Sequence, residues 1–178
     1  VIAEAGIAVN REIAVRTLND LARKHQIPAA LADTGRFLEK AEHTASQLRV
    51  YLARREYSLE TGEHVVKWAQ EQDYINDARY AKMFITSHTI RSPMGDRRLR
   101  AELRKRGVSE EIIVHVLAER NDDELIPDLV DSIRRKYGSL DRETAFRRAA
   151  AFLSRRGFSS STTYRVIREA IDNEKSNL

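Results

Sequence analysis

The chain contains no cysteine, so disulfides, thiolate metal sites and a cysteine nucleophile are excluded from the outset. Proline and glycine are scarce, three and seven of 178 residues, and so few breakers favour helix over a many-stranded sheet. No glycine stands in a phosphate-cradling loop, and no Gly-Lys-Ser or Gly-Lys-Thr run occurs, which argues against a P-loop nucleotidase. The five histidines, His25, His43, His64, His88 and His115, have no histidine partner at i, i+4 spacing. The acidic run from Asn121 lacks the alternating oxygens and the glycine of a calcium loop. No catalytic or metal constellation is left, so the expectation is a protein that is not an enzyme and uses no cofactor and no metal.

Long apolar runs are also missing. The start "VIAEAGIAV" carries Glu4, has no basic n-region and is too short to span a bilayer. A cytoplasmic protein with no membrane association is expected, and Val1 in place of Met implies that a few residues precede it.

What the chain does have is charge, 33% of its residues against about a quarter in typical domains. The net charge of +4 hides a segregation: residues 109–131 hold eight acids and one arginine, leaving 30 basic and 19 acidic residues elsewhere. Such a split points to a polyanionic partner on one surface.

One seven-residue phrase recurs at intervals of about 50 residues: "LARREYS" from Leu52, "LRKRGVS" from Leu103 and "LSRRGFS" from Leu153. Each is preceded by an inward apolar residue four positions earlier, Leu48, Leu99 and Ala149, the spacing of one buried helix face. Gly107 and Gly157 fit the left-handed position of a Schellman stop, Val108 and Phe158 supply its apolar residue, and Ser109 and Ser159 then N-cap the next helix. The phrase is a corner between two helices. Glu56 occupies the glycine position of the first copy, which predicts a different geometry there.

Apolar patterns after each corner complete three tandem three-helix units, 44–91, 92–137 and a truncated 138–178, behind a mostly helical extension, 1–43. The fold class expected is all-α, an elongated curved array of stacked repeats. Helical patterning in the extension runs from about Ile7 to His25, after which Pro28 opens a second helix and Gly35 ends it. Tyr51, Trp68, Tyr74, Tyr80, Phe84 and Phe152 could serve as base-stacking platforms, but most of them fall at helical spacing on apolar faces, so core packing is the better reading.

On a wheel of about 100° per residue, Arg97, Arg98, Arg100, Arg104 and Lys105 share the outward arc of the helix before Gly107, with no acid among them. The corresponding helix of the third unit, with Phe146, Ala149 and Leu153 inward, presents Arg147, Arg148 and Arg155 outward. A face kept only for solubility usually interleaves both signs, and arginine forks suit phosphate, so these eight residues are the candidate binding set. Arg106 and Arg156 read instead as partners of helix C-terminal carbonyls. The matching arc of the first unit, His43, Gln47, Val50 and Arg54, carries little charge.

Two other classes remain open on this reading. Residues 18–38 loosely follow helix-turn-helix spacing, with Ala22 in the first helix, Ile27 after the turn and Arg36 exposed on the second, as in a DNA-binding transcription regulator. A scaffold without a nucleic-acid role is the other.

The sequence also resembles the RecX family of bacterial recombinase modulators. "YINDARYAKMF" from Tyr74 is similar to that family's Tyr-Leu-Asp-Asp-x-Arg-Phe-Ala signature. "SPMGDRRLRAELRKRGVSEEII" from Ser92 is similar to its Gly-x-x-x-Ile-x-x-Glu-Leu-x-x-Lys-Gly-Ile-Ser segment, and "FLSRRGFSSSTTYRVI" from Phe152 to its C-terminal repeat. The likeness covers about residues 44–173 and leaves the first 40 residues without a family pattern. It implies a regulatory protein that binds the RecA filament on single-stranded DNA in its helical groove. It further implies inhibition of RecA's recombinase, ATPase and coprotease activities, hence a role in DNA repair, homologous recombination and the SOS response. The partners expected are that filament and, weakly and non-specifically, nucleic acid, met by a monomer.

Overall fold

The structure, a computed structural model, describes residues 15–91 and 93–172. Among these the chain is entirely helical, with no strand and with no helix long and apolar enough to cross a membrane. It divides into two compact units, Val1–Tyr80 and Ala81–Leu178. The expected helix start at Ile7 and the last six residues of the truncated third repeat lie outside the described residues.

The first unit contains α1 (Val15–Leu38), α2 (Ala45–Arg54), α3 (Leu59–Glu71) and the start of α4 (Asp77–Arg91). Its core joins Ala30 of α1 to Leu48 and Leu52 of α2 and to Val65, Val66 and Ala69 of α3. Each large aliphatic side chain so buried contributes about 1.5–3 kcal/mol. The stretch beyond the repeats is therefore a structural wall of the first one. α1 also corrects the expected two-helix reading: Pro28 and Gly35 both lie inside one continuous helix. A proline in a helix interior forfeits one backbone hydrogen bond, and polar ties on either side of it hold the turn in place. Gln26 Oε1 accepts from the Ser58 N–H at 3.0 Å and from the Thr61 hydroxyl at 3.1 Å. Buried Asp33 accepts from Tyr57 at 2.8 Å and pairs with Arg55 at 3.0 Å. Burial, and then the bond to Asp33, raise the pKa of the Tyr57 hydroxyl.

The signature around Tyr74 is structural as well. Asn76 Oδ1 accepts from the Arg79 N–H at 2.9 Å, and Asp77 Oδ1 accepts from the Ala45 N–H at 2.8 Å, closing the start of α2. Arg79 bridges Glu42 at 3.0 Å and Asp73 at 2.8 Å. Tyr74, expected in the core, is exposed instead, because it precedes α4 and only tilts against Trp68, ring centroids 5.4 Å apart.

The second unit holds the rest of α4, α5 (Asp96–Lys105), α6 (Glu110–Ala118), a 3-10 turn (Asp122–Leu125), α7 (Ile126–Tyr137), α8 (Arg142–Arg155) and α9 (Ser160–Asp172). Its largest core stacks Leu129, Val130 and Ile133 of α7 on Ala149 and Leu153 of α8 and on Val166, Ile167 and Ala170 of α9.

All three corners share one hydrogen-bond pattern. The N–H groups of Tyr57, Val108 and Phe158 reach back to the carbonyls of Leu52, Leu103 and Leu153 at 3.2–3.3 Å. Those of Glu56, Gly107 and Gly157 reach Ala53, Arg104 and Ser154 at 2.9–3.0 Å, completing Schellman motifs. Ser58, Ser109 and Ser159 each cap the following helix. The first corner thus does not depart from the others: Glu56 itself takes the left-handed conformation, φ 63°, at a cost of about 1–2 kcal/mol. The conserved-geometry stop outweighs the side chain's preference because it satisfies two helix-end carbonyls at once.

Candidate nucleic-acid interface

α5 begins where α8 ends. The Gly95 N–H donates to the Arg156 carbonyl at 2.9 Å, and the Arg97 N–H to the Gly157 carbonyl at 3.2 Å, so the free donors of one helix start meet the free acceptors of the corner after another. Only glycines permit that approach. A Cβ on Gly95 would lie 2.3 Å from the Phe158 nitrogen, and one on Gly157, at φ 85°, would lie 2.4 Å from the Arg98 nitrogen. Two arginine-rich helices from different repeats are thereby joined end to end by backbone. Spacing within a helix does not reveal this join.

The eight candidate residues divide into two sets. Arg97 folds across the junction, its Nη2 donating to the Ser154 carbonyl at 2.6 Å. Arg100 and Arg104 both pair with Glu110, the first residue of α6, Arg104 through Nε at 2.7 Å. Their hydrogen bonds, Arg104's foremost, and their charges hold the Glu110 carboxyl below the usual carboxylate range. The arc of α5 is therefore not free of acid, as the wheel alone implied, because the corner folds the acidic start of α6 back beside it. Arg98, Lys105, Arg147, Arg148 and Arg155 are exposed and form no ion pair with any described residue.

Arg106 and Arg156 are structural. Arg106 donates to the Glu102 carbonyl at 2.7 Å and to its carboxylate at 2.6 Å, with its guanidinium 4.4 Å from the Phe84 ring centroid. Arg156 lies over Phe152 and donates to the Pro93 carbonyl at 3.0 Å. Arg120, the lone arginine of the acidic segment, is 7% exposed and ties the end of α6 to the start of α5 through Asp96 at 2.7 Å and the Met94 carbonyl at 2.8 Å.

The inward stripe of α8 is Ala145, Ala149 and Leu153, not Phe146, Ala149 and Leu153 as the sequence suggested. Both satisfy helical spacing, and the smaller side chain faces the core. Phe146 is left 46% exposed on the wall of a cleft of about 730 Å³ between α8 and α9. Among the described residues no cluster of three His, Cys, Asp or Glu side chains could hold a metal ion.

Residues 76–117 match the family model described as "RecX, second three-helix domain". The regulatory protein RecX of Deinococcus radiodurans is 34% identical over 151 residues, 84% of this chain and 72% of that protein. The regulatory protein RecX of Streptomyces coelicolor is 33% identical over 142 residues, covering 78% and 76% respectively. In fold, the chain is similar to the crystal structure of RecX from Lactobacillus salivarius, with TM-score 0.75 and 18% identity over 81% of this chain and 96% of that one. A second crystal structure, of a regulatory protein RecX, matches with TM-score 0.74 and 21% identity over 97% and 84%.

Proposed function

The chain belongs to the RecX family of regulatory proteins, and from that premise we propose that it binds the RecA filament on single-stranded DNA, in its helical groove, and restrains RecA. Strand exchange, DNA-dependent ATP hydrolysis and coprotease activity are all held back, which tempers homologous recombination and the SOS response. The protein acts in the cytoplasm as a monomer, by occupancy and not by catalysis.

The observation that carries this reading is the set of unpaired cations on α5 and α8, two helices held end to end through Gly95 and Gly157. Arg147, Arg148 and Arg155 offer planar donor forks to phosphate oxygens, and Arg98 and Lys105 extend the positive surface across the junction. Binding through phosphates releases counterions, so it tolerates sequence and weakens with salt, with a log-log slope of about −0.7 per phosphate on a single strand. A repeat protein that contacts phosphates and RecA together gains by linking two weak attachments into one.

The helix-turn-helix alternative needs a turn within residues 18–38, and α1 has none. The deciding experiment is DNA-dependent RecA ATPase measured with and without the protein. Inhibition at stoichiometries near one per RecA supports the proposal, and full activity at several-fold excess defeats it.

A further inference from the structure

Phe146 of α8 and Tyr164 of α9, 46% and 58% exposed, line the same 730 Å³ cleft. The core beneath is complete without either ring, since Ala149, Leu153, Val166 and Ile167 close it against α7. The cleft is within the size range of small-ligand sites, about 300–1,000 Å³, but it is not a simple apolar groove. The hydroxyls of Ser154, Ser160 and Thr163 share its lining with the rings, whereas Asp96 and Arg97, also in the lining, are already tied to Arg120 and to Ser154. Hydroxyls both donate and accept. The matching ligand has flat π-faces and an edge carrying donors and acceptors. Arg147 follows Phe146 and on the helix wheel lies next to the face of Phe146, Ala150 and Ser154 that lines the cleft, exposed and without an ion-pair partner among the described residues. Beside the aromatic cleft there is thus cationic surface for a polyanion.

We propose that this cleft is a subsite for an unstacked base of single-stranded nucleic acid, with Phe146 and Tyr164 as its stacking faces and Arg147 holding the adjoining phosphate. The proposal rests on the reading of α8 as a phosphate-binding face and deepens it. An apolar side chain of a protein partner would use the rings and leave Arg147 idle, whereas a single strand uses both. Stacking accepts any base, so the site adds affinity for strands with free base faces while leaving sequence preference slight. Duplex, whose bases are already stacked and paired, gains nothing from it.

The test compares a thymidine oligonucleotide with an abasic oligonucleotide of equal length and charge, titrated by fluorescence anisotropy against the full chain. The normal strand is expected to bind at least about fivefold more tightly, the scale of one base–aromatic stack. Phe146→Ala and Tyr164→Ala should shrink that preference while keeping the salt slope and the helical circular dichroism. Phe146→Tyr, which keeps a ring, should retain it and so separates loss of stacking from loss of fold. Equal affinity of the parent for both strands overturns the subsite and leaves the phosphate reading standing, and failure of both strands to bind overturns the two together. A preference that survives both alanine variants places the base elsewhere and sinks the proposal. Variants that bind both strands like the parent yet lose RecA inhibition assign the cleft to a protein contact and sink it equally.

Discussion

Glu110 Oε2 lies 2.7 Å from Arg104 Nε, and the same carboxylate holds Arg100. This acid at the start of α6 competes with phosphate for two of the eight arginines and lysines that face outward by sequence. Replacing it by the isosteric amide, Glu110→Gln, is expected to free both arginines, raise affinity for single-stranded DNA several-fold and steepen the salt slope by up to about 1.4, two phosphates' worth. Anisotropy titrations over a range of salt check it, and an unchanged slope shows that the arginines stay unavailable.

The same pair sets a pH response. The Glu110 pKa is depressed in the folded protein by Arg104's hydrogen bond and by the charges of Arg104 and Arg100. The stability that the pair contributes is therefore present above the unfolded-state carboxylate pKa and is lost as pH falls through the lower folded value. Protonation releases the arginines, so the affinity advantage of Glu110→Gln over the parent should narrow toward none as pH falls below the ordinary carboxylate range. DNA titrations of both proteins over that interval test the sign.

Gly157 and Gly95 bring a second expectation. Gly157→Ala places a methyl 2.4 Å from the Arg98 nitrogen at a φ of 85°, and Gly95→Ala places one 2.3 Å from the Phe158 nitrogen. Each should cost about 2 kcal/mol or more, because backbone must move to make room, and DNA affinity should fall as α5 and α8 part. Gly35→Ala and Gly62→Ala, in helices with nothing within 4 Å of the added carbon, should gain up to about 1 kcal/mol instead. Urea denaturation of the four variants decides between these directions.

Glu56 gives the opposite case. It holds a left-handed φ of 63° inside a corner that is otherwise built like those at Gly107 and Gly157. Glu56→Gly should stabilise the protein by about 1 kcal/mol, the relief of a side chain in that region less the entropy glycine adds to the unfolded chain. A fall in the urea midpoint would contradict the strain.

The parts of the fold that could be read from residue order are those governed by neighbours along the chain. Leu99 with Leu103, Gly107 and Ser109 define a stripe, a stop and a cap within eleven residues, and all three form as expected. Pro28 and Glu56 were misleading because tertiary bonds, Gln26 to Ser58 and a shared corner geometry, override local preference. Phe146 and Ala145 are one residue apart, both compatible with helical spacing, and only packing chooses between them. The arginine faces were visible as composition, but their division into paired and unpaired members was not. That division depends on α6 folding back beside α5 and on the Gly95 to Arg156 contact, 61 residues apart in the chain.

The central claim is that the unpaired cations of α8 engage the DNA of the RecA filament, and its most direct measurement is RecA ATPase inhibition by Arg147→Glu/Arg148→Glu/Arg155→Glu. None of the three lies on the buried stripe of Ala145, Ala149 and Leu153, and glutamate is a good helix former, so circular dichroism should match the parent. A control that reverses Glu124 and Asp128 to Lys, both exposed in the acidic segment, should still inhibit. The account predicts that the triple variant leaves RecA's DNA-dependent ATPase at its uninhibited rate. A folded triple variant that inhibits as well as the parent would contradict it.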